Sequence, residues 1–271
     1  MKKKIIKIFF LILLFGVYVS AQNSIQDYTL TEDFRCQVKS LEEFQMRFNG
    51  LESKPGVKSD SLSRRNNIIS LFNFKMNKGN LTKEQFDNKI NTFVDSVLLN
   101  NIDFNITNAG LWAECKTKVK YKDTDKIITL IMQSEKTDKE LYRWAIIGVK
   151  GLEESGIINS RFYTISPVEH EVHFMGLYDF INENPSHAYG YRSRNAKIDE
   201  LSVFLTLVST GSIKFDGILE QIYHYVDIPG FVFSIKEIVR EGSNSGWLIS
   251  AFDQVTSNEK IKYVNKLFGY E

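Results

Sequence analysis

The chain has 271 residues, 43% of them hydrophobic and 13% aromatic, with 34 Lys and Arg against 33 Asp and Glu for a net charge of +1. Residues 1–21 carry Lys2, Lys3, Lys4 and Lys7 and no acid, so the remainder stands at 1 − 4 = −3. A mildly acidic chain without a Lys/Arg block has no electrostatic footprint for nucleic acid or for a membrane surface, and four prolines with no low-complexity stretch exclude a largely disordered protein.

In chain order, Met1-Lys2-Lys3-Lys4 precedes an apolar stretch from Ile5 to Val19, broken only by Lys7, and Val19-Ser20-Ala21 stands ahead of Gln22. A basic start, an apolar middle and a small-x-small site predict a secretory signal over 1–21, cleaved before Gln22. Ile8–Val19 is shorter than the ~20 residues of a comfortable span. The expectation is export, to the periplasm or beyond, with no membrane attachment after cleavage; an uncleaved anchor is the alternative.

Ser40-Leu41-Glu42-Glu43 reads as a capping box that puts Leu41, Phe44 and Phe48 on one helix face. Thr82-Lys83-Glu84-Gln85 is a second box, followed by Phe86, Ile90, Phe93, Val94, Val97 and Leu98 at helical spacing. From Cys115 to Tyr121 the chain alternates, with lysines on one face; Lys122–Asp125 turns, and Ile128, Leu130 and Met132 alternate again. Trp144, Ile146 and Gly148 complete an antiparallel three-strand meander. After a polar, Gly-containing stretch at Lys150–Ser160, Ser166-Pro167-Val168-Glu169 starts a helix with Phe174, Leu177, Tyr178 and Ile181 on one face. Ile198, Leu201, Phe204, Leu205 and Val208 mark another.

The meander returns 103 residues later. Cys115, Val119 and Tyr121 meet Ile218, Ile222 and His224; Ile128, Leu130 and Met132 meet Phe231, Phe233 and Ile235; Trp144 and Ile146 meet Trp247 and Ile249. The pattern predicts an α+β chain of two similar domains, 22–152 and 153–271, each with N-terminal helices packed on a curved antiparallel sheet. This order, with the repeated Trp144 and Trp247 strands, resembles the nuclear transport factor 2-like or cystatin-like superfamily. The resemblance implies helices in the concavity of the sheet; it names no function, since that fold serves enzymes, binders and inhibitors alike.

All four histidines fall in the second half. His170 and His173, three apart, can share a ligand or pack as a staple and a core ring. His224 is expected to join them, and a pocket is expected between their helix, with Tyr178, and the sheet carrying His224 and Trp247. Tyr189, Tyr191, Arg192 and Arg194 make an aromatic and basic loop patch, and Gly242–Gly246 a polar hairpin loop. The two cysteines, Cys36 and Cys115, are candidates for a disulfide, because export permits oxidation; two buried thiols are the alternative. No Gly-x-Ser-x-Gly elbow, Cys-x-x-Cys or P-loop is present, and no cofactor or metal is expected. The leading expectation is a non-catalytic binding or interaction protein for a small molecule or a protein. An enzyme using the histidine-lined pocket and a cystatin-like peptidase inhibitor are the alternatives.

Overall fold

The computed structural model describes residues 37–51, 61–107, 110–139, 141–159, 161–163, 177–183, 185–240 and 245–268. Among the described residues three helices come first: α1 (Leu41–Phe48), α2 (Ser61–Ser70) and α3 (Lys83–Leu99). The first meander is β1 (Leu111–Tyr121), β2 (Thr124–Lys136) and β3 (Tyr142–Lys150). Then come α4 (Leu177–Glu183), a 3₁₀-helix (Pro185–Tyr191) and α5 (Glu200–Ser209). The second meander is β4 (Ile213–Ile228), β5 (Phe231–Ile238) and β6 (Gly246–Gln254), and α6 (Ser257–Phe268) follows it.

The expected local signals operate. In α3 the Gln85 amide donates to Thr82 Oγ1 at 3.2 Å and the Thr82 amide donates to Gln85 Oε1 at 2.9 Å, a complete capping box. Its inner face buries Phe86, Ile90, Phe93, Val94 and Val97. In α1 the reciprocal half is displaced by one residue: the Glu43 carboxylate accepts from the Lys39 amide at 2.6 Å, not from that of Ser40. Lys122 and Asp123 both take positive φ, 50° and 60°, which suits a two-residue turn between right-twisted strands.

The six strands form one antiparallel sheet in the order β3-β2-β1-β4-β5-β6. The fold is therefore α+β with a single six-stranded sheet, and the expectation of two similar domains is not confirmed. The hydrogen-bond ladders nevertheless repeat. Adding 103 to the β2–β3 pairs Leu130↔Val149, Met132↔Ile146 and Ser134↔Trp144 gives the β5–β6 pairs Phe233↔Phe252, Ile235↔Ile249 and Glu237↔Trp247. The β-bulge between Ile131 and Met132 recurs between Ser234 and Ile235. The central strands depart from that offset. Leu130 faces Cys115, whereas Phe233 faces Tyr225, so β1 maps to β4 by 225 − 115 = 110 residues. Glu114, not Tyr121, is therefore the ladder counterpart of His224. Ala113 pairs with Tyr223, its own counterpart at this offset, so the β1–β4 ladder is two-fold about that pair.

Helices cover the sheet crosswise. α1 and α3, with the segment after α2, bury Phe44, Phe48, Phe93 and Phe72 against Tyr225, Phe231, Phe233 and Phe252 of the second meander. α5 buries Phe204 against Cys115, Val119, Ile128 and Leu130 of the first meander, with Leu152, Ile157 and Ile158 of the 150–160 stretch in the same cluster. This helix-bearing face is concave. Trp144 on β3 and Tyr223 on β4 stand three strands apart, about 14 Å in a flat sheet, yet their ring centroids are 5.8 Å apart.

α6 lies on the opposite face. Its Lys260 donates to the Val226 carbonyl at 2.7 Å and to that of Ile228, Leu267 is buried, and Lys150 Nζ reaches the Lys266 carbonyl at 3.1 Å. The β6 edge is extended by a parallel bridge from Val38 to Gly246 and another from Phe72 to Ile249.

Candidate functional site

Among the described residues, the sheet does not bring His224 and Trp247 together. His224 and Trp247 lie on opposite faces: Tyr223 turns its ring to Trp247 at 5.4 Å, and the next side chain, His224, turns to Tyr263 of α6. Tyr178 is exposed on α4. His170 and His173 lie outside the described residues. Cys115 is buried, with Sγ 3.8 Å from Met132 Sδ, and burial pushes its thiol pKa up; Cys36, its expected partner, lies outside the described residues. In the Tyr189–Arg194 patch, Arg192 lies over the Phe162 ring at 4.4 Å and donates to the Tyr189 carbonyl at 2.7 Å. His187 stacks on Tyr163 at 4.4 Å.

On the convex face His224 belongs to a polar chain that sequence reasoning missed. Its Nδ1 is 2.6 Å from the Tyr263 hydroxyl and its Nε2 is 3.3 Å from Glu114 Oε2. Glu114 Oε1 is 3.3 Å from Lys150 Nζ. The contact at Nε2 is close but not aligned as a hydrogen bond. The His224 ring, and after it Lys150, holds the Glu114 carboxyl below its usual range. Burial first, then the charges of Glu114 and Asp253, pushes the Tyr263 phenol well above its usual range, so that hydroxyl keeps its proton. Chemically the chain ties α6 to β1 and β4. One sequence signal pointed to it: Glu114 is the single acid on the lysine-bearing face of its strand. Among the described residues no group of three or more His, Cys, Asp or Glu side chains is placed to hold a metal ion.

The concave face offers a different arrangement. Trp144, Tyr223 and Trp247 form a row across the two-fold pair, with Tyr223 between the tryptophans at 5.8 and 5.4 Å. Beside it the sheet has a step. β5 pairs with β4 only from Ile222 onward, so Ile213–Gln221 has β1 on one side and, among the described residues, no strand on the other. That stretch exposes Phe215 (51%), Ile218 (56%) and Leu219 (53%). A cleft of about 360 Å3 opens at the step, between Ile218, Leu219 and Gln221 on one side and Lys236, Glu237 and Trp247 on the other. An ion pair of Lys236 with Glu220 closes its convex side. Two bulges, at Asp216 and Leu219, interrupt the ladder with β1: Lys116 and Thr117 face Glu220 and Ile218, and Lys118 and Val119 face Gly217 and Phe215. Bulges blunt flush pairing of one edge with another and re-aim single side chains, and here they leave Ile218 and Leu219 both accessible.

The chain matches no protein-family model, no curated protein and no solved structure. Among the described residues no helix is long and apolar enough to cross a membrane.

Proposed function

We propose that this is an exported interaction protein that receives a short apolar segment of another polypeptide at the β4 step. The observation that carries the reading is the Ile213–Gln221 stretch, paired with β1 on one side and, among the described residues, with no strand on the other, bearing three exposed large apolar side chains and ending in a cleft walled by Trp247. Exposed apolar clusters rimmed by polar groups are the usual mark of an interaction surface, and an unpaired strand supplies backbone donors and acceptors for an extended ligand. The bulges limit that pairing to a few residues, so affinity has to come from a side chain in the cleft. The N-terminal signal pattern supports export. The order of helices before each meander supports the resemblance to the nuclear transport factor 2-like or cystatin-like superfamily. The repeated β2–β3 and β5–β6 ladders support a chain built from two like units that exchange their helices.

Photo-crosslinking tests the reading. A benzophenone side chain at position 219 in the exporting cell should capture one discrete polypeptide through an apolar stretch. The same group at position 99, whose leucine is 86% exposed on the helical side, should not. Equal capture at both positions, or capture at 219 that survives Ile218→Lys, would overturn it.

A further inference from the structure

The end of α2, the loop after it and the first turns of α3 enclose a recess of about 450 Å3. Its floor is apolar: Phe72, Phe86 and Ile90 are buried, and Phe74 stands at the rim, 58% exposed. Lys78 and Lys83 line the mouth, with Lys78 Nζ 5.2 Å from the centre of the Phe86 ring. Lys83 is the first residue of α3, so the positive end of a 17-residue helix lies at the same mouth. Arg240 donates to Asn73 Oδ1 at 3.0 Å in the wall, and Asp87 is the acid that lines the recess. The balance at the mouth is positive.

We propose that this recess binds a small amphiphilic anion: an apolar body on the phenylalanine floor and one carboxylate or sulfonate head at Lys78 and Lys83. The size lies within the ~300–1,000 Å3 of small-molecule sites. Apolar walls around empty space forfeit dispersion contacts and hold water poorly, which selects an apolar body. Two lysines and a helix N-terminus select the head: a neutral amphiphile leaves them unused, and a cationic one meets like charge. This ligand is independent of the polypeptide proposed for the β4 step.

The test uses the secreted chain, with 1-anilinonaphthalene-8-sulfonate as the reporting probe and decanoate, decanol and decyltrimethylammonium as competitors. Saturable binding at one site is expected, with decanoate displacing the probe at least tenfold more effectively than decanol or the cation. Lys78→Glu with Lys83→Glu should weaken decanoate at least tenfold and leave decanol within twofold. An acidic residue in the first turn suits the helix dipole, so Lys83→Glu does not threaten the fold. Ile69→Trp, which fills the recess, should abolish probe binding, and a photoreactive diazirine analogue of decanoate should label peptides within 69–91. Probe emission that never saturates, equal competition by all three amphiphiles, or labelling outside 69–91 would each overturn the proposal.

Discussion

Crosswise packing makes a specific claim about Phe93. This residue of α3 precedes the first meander in the chain, yet its ring is fully buried among side chains of the helical layer and the second meander. Its centroid lies 5.4 Å from Phe72 and Phe231, 5.7 Å from Phe233 and 5.9 Å from Phe252, with interplanar angles of 68–88°. Phe93→Leu keeps an apolar filler and removes four edge-on ring contacts. At the lower figure of about 0.5 kcal/mol per contact the loss is about 2 kcal/mol. The assay is urea unfolding of residues 22–271, carried through two double-mutant cycles. Phe93→Leu with Phe252→Leu should show a coupling of about 1 kcal/mol, because the rings touch. Phe93→Leu with Val149→Ala should add within about 0.5 kcal/mol, because Val149 belongs to the other cluster. Coupling to Val149 with none to Phe252 would mean that α3 rests on its own meander, and the crosswise account would fail.

Three further substitutions probe the framework. Gly246 has φ +89°, and a Cβ there would stand 1.9 Å from the Val38 carbonyl oxygen; Gly246→Ala should cost about 3 kcal/mol, combining left-handed strain and overpacking, and should release the Val38 bridge, read as faster exchange of the Val38 amide. Tyr263→Phe removes the hydroxyl 2.6 Å from His224 Nδ1 and should cost about 1–2 kcal/mol in thermal unfolding; no loss would make that contact energetically idle. Glu114 has a lowered carboxyl pKa in the fold, so its contribution is present above the ordinary value of 4.5 and lost as pH falls through the folded value. Glu114→Gln should therefore be less stable than the parent by about 1 kcal/mol at pH 7, with the gap closing in acid; a gap that widened on acidification would reverse the assignment.

Much of this fold was legible locally. Thr82 and Gln85 announced α3, and the Phe86–Val97 stripe is the face it buries. The alternation from Cys115 to Tyr121 and the positions of Trp144 and Trp247 gave the strands, because period-2 burial is written residue by residue. Two things were not legible. The sequence match put His224 opposite Tyr121, seven residues from its ladder counterpart, because a period-2 match does not register the β-bulge at Leu219, which changes the phase of β4 by one residue. The face of His224 was misplaced for the same reason: beyond the bulge the even-numbered residues of β4 turn to the other side of the sheet. Glu114, Lys150 and Tyr263 are spread along 150 residues and meet only because β3, β1, β4 and α6 share the convex face. Its one local trace was the acid among lysines on β1.

The antiparallel β1–β4 pairing explains why the helices cross. When two long strands run antiparallel at the centre of a sheet, the start of each lies beside the end of the other. Leu111 at the start of β1 pairs with Tyr225, next to the turn into β5, and Ile213 at the start of β4 pairs with Tyr121, next to the turn into β2. A helix that feeds directly into one of these strands is delivered over the other meander. The connection from α5 to β4 is only residues 210–212, too short to carry the helix back across the sheet, so Phe204 lands on Ile128 and Leu130. The connection from α3 runs over residues 100–110, and it too is pinned near Tyr225: Phe104 packs its ring 5.0 Å from that of Tyr225, and the Asp103 carbonyl accepts from the Tyr225 hydroxyl at 3.3 Å. Among the described residues, α3 therefore packs on the second meander and α5 on the first. The apolar faces of α3 and α5 thus rest mainly on the meander that the other helix leads into, and Tyr223 of the concave aromatic row, packed against both clusters, joins the two.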